Sequence, residues 1–204
     1  MKKIVFVFIL IVILVSVMAI GAFAIQESEN NNSVDTATTI PTNTFVSGNL
    51  STRSDVDWYK FTTNSNGYFN VEFTHEFLSS GYDYWNIYLY DSTGVNNIDG
   101  TSSYFGVAGN ANMTTNTFGV SAGTYYIKIV RDNYSGNNYN LKVNFTSSND
   151  WETENNNSKA SANVIKVNES INGSLSMKGD VDWYKFTTNS NGYFNVEFTH
   201  EFLS

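Results

Sequence analysis

The 204-residue chain has no cysteine and a single proline. Without cysteine there is no disulfide scaffold, no thiol nucleophile and no lipid-modified cysteine anchor. Histidine is nearly absent too, with only His75 and His200. Eleven basic residues stand against 19 acidic ones, for a net charge of −8. That balance argues against nucleic acid as a partner, because phosphate recognition needs a basic footprint. No P-loop pattern occurs. His75-Glu76 opens like a zinc-protease helix, but Ser79 stands where the second histidine should be. The segment also alternates like a strand, so the motif fails on residue and on geometry. These absences predict a non-catalytic protein.

What the chain does have is an internal repeat. Residues 55–79, DVDWYKFTTNSNGYFNVEFTHEFLS, recur unchanged at 180–204, an offset of 125 residues. The register holds upstream. ESENNNS at 27–33 matches ETENNNS at 152–158, and Gly48 and Leu50 match Gly173 and Leu175. An offset of this size is that of one small domain. The chain therefore reads as one whole module, 45–148 with its acidic approach segment 25–44, followed by a truncated second copy at 149–204. Phe194, Val196, Phe198 and Phe202 of that copy would lack a facing sheet here, so it is not expected to fold alone. An unpaired edge of this kind invites strand exchange with another chain.

Lys2 and Lys3 precede an apolar run from Ile4 to about Ile20, and Ala22-Phe23-Ala24 follows. That is the pattern of a signal peptide over residues 1–24, cleaved before Ile25. An uncleaved N-terminal membrane anchor is the alternative, since the run is nearly long enough to span a bilayer. Either reading places the remainder outside the cytoplasm, secreted or at the cell surface.

Beyond the leader, aromatic residues reach 16% and no helical period is sustained. Short apolar-polar runs separated by Gly, Asn, Ser and Asp predict strands near 45–50, 56–63, 67–78, 84–91, 103–108, 113–120, 123–131 and 138–146. In the third, Phe69, Val71, Phe73, His75 and Phe77 share one face, with Asn70, Glu72, Thr74 and Glu76 on the other. Asn66-Gly67 and Asp91-Ser-Thr-Gly94 are turn signals. About eight short strands, each with one apolar face, predict an all-β protein, a β-sandwich of jelly-roll type.

The order of motifs resembles the bacterial pre-peptidase C-terminal domain, a secreted sandwich module related to the collagen-binding domains of clostridial collagenases. The likeness is carried by Glu27, Glu29, Asn31 and Asn32 before Ala37, by Gly48 and Leu50, and by Asp55-Val-Asp57-Trp58-Tyr59-Lys60-Phe61. It continues in Tyr88-Leu89-Tyr90-Asp91-Ser92-Thr93-Gly94, Ala122-Gly123-Thr124-Tyr125-Tyr126-Ile127-Lys128-Ile129 and Tyr139-Asn-Leu141-Lys-Val143. It spans 27 to about 146, and the second copy carries only the first three motifs. The resemblance implies the sandwich fold, an accessory role beside secreted peptidases and, in calcium-binding relatives, a metal site in the acidic segments.

The residues give their own reason to consider calcium, which takes six to eight oxygen ligands. Glu27 and Glu29 lie two apart on extended chain, with Asn31 and Asn32 beyond, and Asp55 and Asp57 are spaced likewise. The set recurs as Glu152, Glu154, Asn156, Asn157, Asp180 and Asp182. A solvated acidic linker with ordinary turn aspartates is the alternative. A second candidate surface is Tyr84, Tyr88 and Tyr90, which with Asn86 share the outward face of one strand, opposite Trp85, Ile87 and Leu89. Outward tyrosines suit an extracellular polysaccharide or protein surface. The expected function is extracellular binding or adhesion by a calcium-ordered module. An accessory domain of a secreted peptidase and a structural cell-surface stalk remain as alternatives.

Overall fold

A computed structural model describes residues 25–79, 81–100, 103–132 and 138–200. The expected leader at 1–24 and Phe202 lie outside the described residues. Among the described residues there are thirteen strands: β1 (Ile25–Gln26), β2 (Thr38–Thr39), β3 (Val46–Asn49), β4 (Val56–Thr63), β5 (Gly67–His75), β6 (Asp83–Tyr90), β7 (Phe105–Ala108), β8 (Met113–Thr114), β9 (Phe118–Val120), β10 (Gly123–Arg131), β11 (Asn138–Ser147), β12 (Asn163–Val164) and β13 (Tyr184–Lys185).

One sheet runs β1-β3-β11-β5-β8, with β9 also on β5, and the other runs β2-β4-β10-β6-β7. Taking β8 and β9 as one interrupted strand, the eight strands from β3 to β11 fall in the order first, eighth, third, sixth and second, seventh, fourth, fifth. That is the jelly roll. All eight expected runs are present. The sixth is interrupted at Thr115: its N–H donates to the Val71 carbonyl at 3.0 Å, but the Val71 N–H returns to the Thr115 hydroxyl rather than to a backbone carbonyl.

Alternation explains the packing. Phe69, Val71 and Phe73 of β5 are fully buried, while Asn70, Glu72 and Thr74 face outward. Outside, Lys142 of β11 pairs with Glu72 at 2.6 Å, opposite it in register. Inside, Phe61 meets Phe69 edge-on at 5.0 Å and Phe73 stacks on Tyr139 at 4.8 Å. Trp85, Ile87 and Leu89 are core, as their alternation predicts. Asn86, expected on the outer face with the tyrosines, is buried as well. Phe77 departs from its expected inward position. The β5 ladder ends at His75, opposite Tyr139, and Phe77 beyond it is 68% exposed. The Asp91 turn forms as expected, with Asp91 Oδ1 accepting the Thr93 N–H and Gly94 at φ +66°.

The second copy docks by its first part on the first module. Trp151 packs on Tyr68 at 4.3 Å, and the Glu154 N–H donates to Gly119 at 3.0 Å. The Ser176 hydroxyl donates to the Thr117 carbonyl at 2.9 Å, and the Asn157 amide to the Asp99 carbonyl at 2.6 Å. Parallel pairing of β12 with β13 repeats that of β2 with β4 at the 125-residue offset. From residue 186 to 200 no strand is assigned. Phe194, Val196 and Phe198 are 70%, 76% and 84% exposed, against 1%, 0% and 0% for their counterparts Phe69, Val71 and Phe73.

The same substitution should therefore cost different amounts at equivalent positions. Phe73→Ala is expected to destabilise by about 3–5 kcal/mol, and Phe198→Ala to stay within about 0.5 kcal/mol. Chemical denaturation of both variants checks this. Equal losses would mean that residues 192–200 are packed in solution.

Candidate metal centre

The approach segment reaches the sandwich as β1, which runs parallel to β3, and the Glu27 N–H continues that ladder to Ser47 at 2.9 Å. This sets Glu27 over the open end of the two sheets. Its Oε1 accepts the Asn49 N–H at 2.5 Å, and its Oε2 accepts the Tyr59 hydroxyl at 2.5 Å and the Asn31 amide at 3.3 Å. Tyr59 touches Tyr139 at 2.7 Å, hydroxyl to hydroxyl, and Tyr139 donates to Asp57 Oδ2 at 2.5 Å. A buried chain of Glu27, Tyr59, Tyr139 and Asp57 thus joins the approach segment to β4 and β11. The close approach needs Gly48: a Cβ there would lie 2.4 Å from the Tyr59 hydroxyl and 2.5 Å from the Tyr139 ring.

Glu27, Glu29 and Asp57 bring carboxylate oxygens within 4.8 Å of one another. Glu27 and Asp57 are buried and Glu29 is exposed, so the cluster opens to solvent on one side. Asn31 and Asp57 are fully buried, yet the Oδ1 atom of each has no hydrogen-bond partner. Buried polar oxygens are almost always satisfied, so two unsatisfied oxygens beside three carboxylates fit the oxygen-rich donor set of a hard cation. Burial, with Glu29, Glu27 and Asp55 adding like charge, pushes Asp57 up to about 8. Burial raises Glu27 as well, against the opposing hydrogen bonds from Tyr59, Asn49 and Asn31. Burial first, then the two adjacent carboxylates, also raises the Tyr59 phenol.

Two of the expected ligands do other work. Asp55 Oδ2 accepts the backbone N–H and hydroxyl of Ser51 at 2.6 and 2.8 Å, closing the turn before β4. Asn32 Oδ1 accepts the Val56 N–H at 3.1 Å, fastening the approach segment to the start of β4.

The second copy builds the same arrangement. Glu152, Glu154 and Asp182 form the equivalent group within 4.8 Å. Glu152 accepts the Ser174 N–H at 2.5 Å, the Tyr184 hydroxyl at 2.5 Å and the Asn156 amide at 3.0 Å. Asp180 Oδ2 accepts the Ser176 N–H at 2.6 Å and Asn157 Oδ1 the Val181 N–H at 3.2 Å, as Asp55 and Asn32 do in the first module. Oxygens of Glu154, Asn156 and Asp182 are again buried without a partner. Burial and the neighbouring carboxylates push Glu154 to about 8 and Asp182 to about 7.

Tyr59, Tyr139, Gly48 and the Asn49 N–H belong to the centre and are missed by a search for acidic pairs. The signal for two of them is the repeat, since Gly48 and Tyr59 recur as Gly173 and Tyr184. Tyr139 lies in β11, and nothing in its local pattern separates it from a core tyrosine.

The outer tyrosines sit on the face of the other sheet and are half-buried rather than bare. Tyr90 stacks on Trp58 at 5.1 Å, Tyr88 lies 5.3 Å from Tyr104, and the Lys128 ammonium is 5.6 Å from the rings of both Trp58 and Tyr88. Tyr84 packs against the core cluster. Tyr88 and Tyr90 border a cleft of about 630 Å³ with Asp91, Asn96, Tyr125 and Glu154.

No family model matches the chain. It is 27% identical over 183 residues to collagenase ColT of Clostridium tetani, an alignment covering 86% of this chain and 18% of that protein. The chain thus spans less than a fifth of the curated relative's length. Among solved structures, the pre-peptidase C-terminal domain of a collagenase from Bacillus anthracis aligns at 21% identity and a TM-score of 0.42. That match covers 52% of this chain and 93% of the domain. A β-glucosidase from Paenibacillus barengoltzii aligns at 11% identity and a TM-score of 0.29, over 58% of this chain and 13% of the enzyme. The curated relative is a collagenase, the group whose domains the motif order of residues 27–146 resembles.

Asp57 holds its proton more tightly folded, at about 8, than at its ordinary value of 3.8. Its contribution to stability is complete below about pH 4 and is lost as pH rises through 8. With metal chelated by EDTA, the unfolding midpoint should fall between pH 5 and pH 8.5, and Asp57→Asn should flatten that slope. A wild-type profile without the fall would show that Asp57 is ionised and solvated in the folded chain.

Proposed function

We propose that this chain is a secreted or cell-surface, non-catalytic binding module in which calcium orders the acidic approach segment. The observation that carries the reading is the convergence of Glu27, Glu29 and Asp57 around buried, unpartnered oxygens, repeated at Glu152, Glu154 and Asp182. Glu27, Glu29, Asp57 and the Asn31 side-chain oxygen would hold the ion. Its charge would offset the repulsion among carboxylates that burial otherwise pushes toward protonation. The residues of the chain do the mechanical part: β1, Asn32 and the tyrosine relay clamp residues 25–32 to the sandwich end. That fixes the direction in which the approach segment leaves the module and shields it from proteases. The ligand proposed is an extracellular protein or polysaccharide, met by the Tyr88–Tyr90 side of the sandwich. The likeness to a collagenase favours a second reading, an accessory module of a secreted peptidase.

Thermal unfolding with calcium and with EDTA tests the metal. Calcium at about 100 times its dissociation constant should add about 2.7 kcal/mol, raising the midpoint by roughly 8–15 °C. The rise should be absent in a Glu27→Gln, Asp57→Asn variant. An unchanged wild-type midpoint would leave the acids as a solvated linker and remove calcium from the proposal.

A further inference from the structure

The two outer faces of the first module are built differently. On β5 and β11 the outward side chains satisfy one another: Glu72 with Lys142 at 2.6 Å, and Asn70 with Asn144 at 3.0 Å. On β4, β10 and β6 the ladder instead sets aromatic rings beside lysines. Lys128 lies opposite Trp58 on one side and Tyr88 on the other, and in the next outward row Tyr126 lies between Lys60 and Tyr90. Trp58 and Tyr90 stack at 5.1 Å, and Tyr88 and Tyr90 lie 6.3 Å apart with their planes 19° from parallel. Tyr88, Tyr90, Tyr126 and both lysines are half-exposed. Neither lysine is neutralised: among the described residues the salt bridges are Lys142–Glu72 and Lys166–Glu169. In a chain of net charge −8, two uncompensated cations among rings on one sheet face make a local field of the opposite sign, which draws an anion.

We propose that this face binds an acidic polysaccharide, a polyuronate whose sugar rings stack on Tyr88, Tyr90 and Tyr126 while its carboxylates meet Lys60 and Lys128. The inference rests on the reading of the chain as an extracellular binding module and names the ligand class of that module. Three features select the class. A sugar ring has an apolar C–H face and a polar edge, the same division that a tyrosine presents. β10 is paired on both sides, with β4 and with β6, so this face offers no free backbone edge on which a peptide could add as a strand. Two lysines are a sparse charge, suited to a chain with one carboxylate on every sugar or every second sugar. A densely charged sulfated glycan or nucleic acid would instead be repelled by the rest of the acidic chain. Lys60 and Lys128 are diagonal neighbours across β4 and β10, about 7–8 Å apart at the backbone. Their flexible stems let the two ammonium groups follow carboxylates at more than one spacing.

Calorimetric titration of the full chain with hyaluronate, in EDTA, tests this. EDTA keeps calcium from bridging the polysaccharide to the acidic cluster. Hyaluronate should bind, more weakly as salt is raised, and neutral dextran should not. Lys60→Gln with Lys128→Gln should weaken binding about tenfold or more and leave the unfolding midpoint in place, while Lys60→Arg with Lys128→Arg should retain binding. The proposal is overturned if hyaluronate does not bind, if the glutamine variant binds it as well as the parent chain, or if dextran, heparin or single-stranded DNA binds more tightly. Gelatin binding that falls in Tyr88→Ala but ignores both lysines would overturn the polyuronate and leave the binding module standing. A chain that binds none of these probes would overturn both.

Discussion

Everything at the open end of the sandwich depends on one buried relay: Glu27 to Tyr59, Tyr59 to Tyr139, Tyr139 to Asp57. It is the point where the approach segment, β4 and β11 are tied together, and so the point where both sheets meet the chain that leads into them. A buried carboxylate is costly unless it is hydrogen-bonded or paired. Here three donors converge on Glu27, from Tyr59, Asn49 and Asn31. The absent side chain of Gly48 makes room for two tyrosine rings to reach it. Removing any one member leaves another buried and unsatisfied, which is why these residues form a unit.

The relay also explains the acidic cluster beside it. With Glu27 fixed by its hydrogen bonds and Asp57 fixed by Tyr139, the two buried carboxylates cannot move apart, and Glu29 completes the group from the solvent side. Burial, with like charges held this close, favours taking up a proton, the direction in which Asp57 is shifted, or binding a cation. The second copy meets the same constraint with Glu152, Glu154, Asp182 and Tyr184, although among the described residues no strand there corresponds to β11. Its Asp182 Oδ1 is buried without a partner, as Asp57 Oδ1 is in the first module.

Much of the fold is legible in the primary structure because alternation is a local property. The β5 and β11 patterns read directly as one buried and one solvent face, and the turn at Asp91 follows from what glycine permits at positive φ. The misreadings have local causes of another kind. Phe77 continues the alternation of β5, but it lies beyond the last described rung of the β5–β11 ladder, His75 opposite Tyr139, and is exposed. The tyrosines of β6 alternate outward as expected, yet Trp58, Tyr104 and Lys128 from three other segments partly cover them. Asp55 and Asn32 have the residue types of ligands, and one oxygen of each accepts a backbone N–H, from Ser51 and Val56.

The amino-acid sequence by itself determined the eight strands, their faces, the repeat and the acidic pairs, because each rests on spacing along a few residues. Only the tertiary structure decided which acids share a site, that two tyrosines from distant strands hold them, and that Phe69, Val71 and Phe73 are core while Phe194, Val196 and Phe198 are exposed. Those outcomes depend on what stands opposite a residue across a sheet or a core, and that partner is set by chain closure rather than by neighbours in sequence.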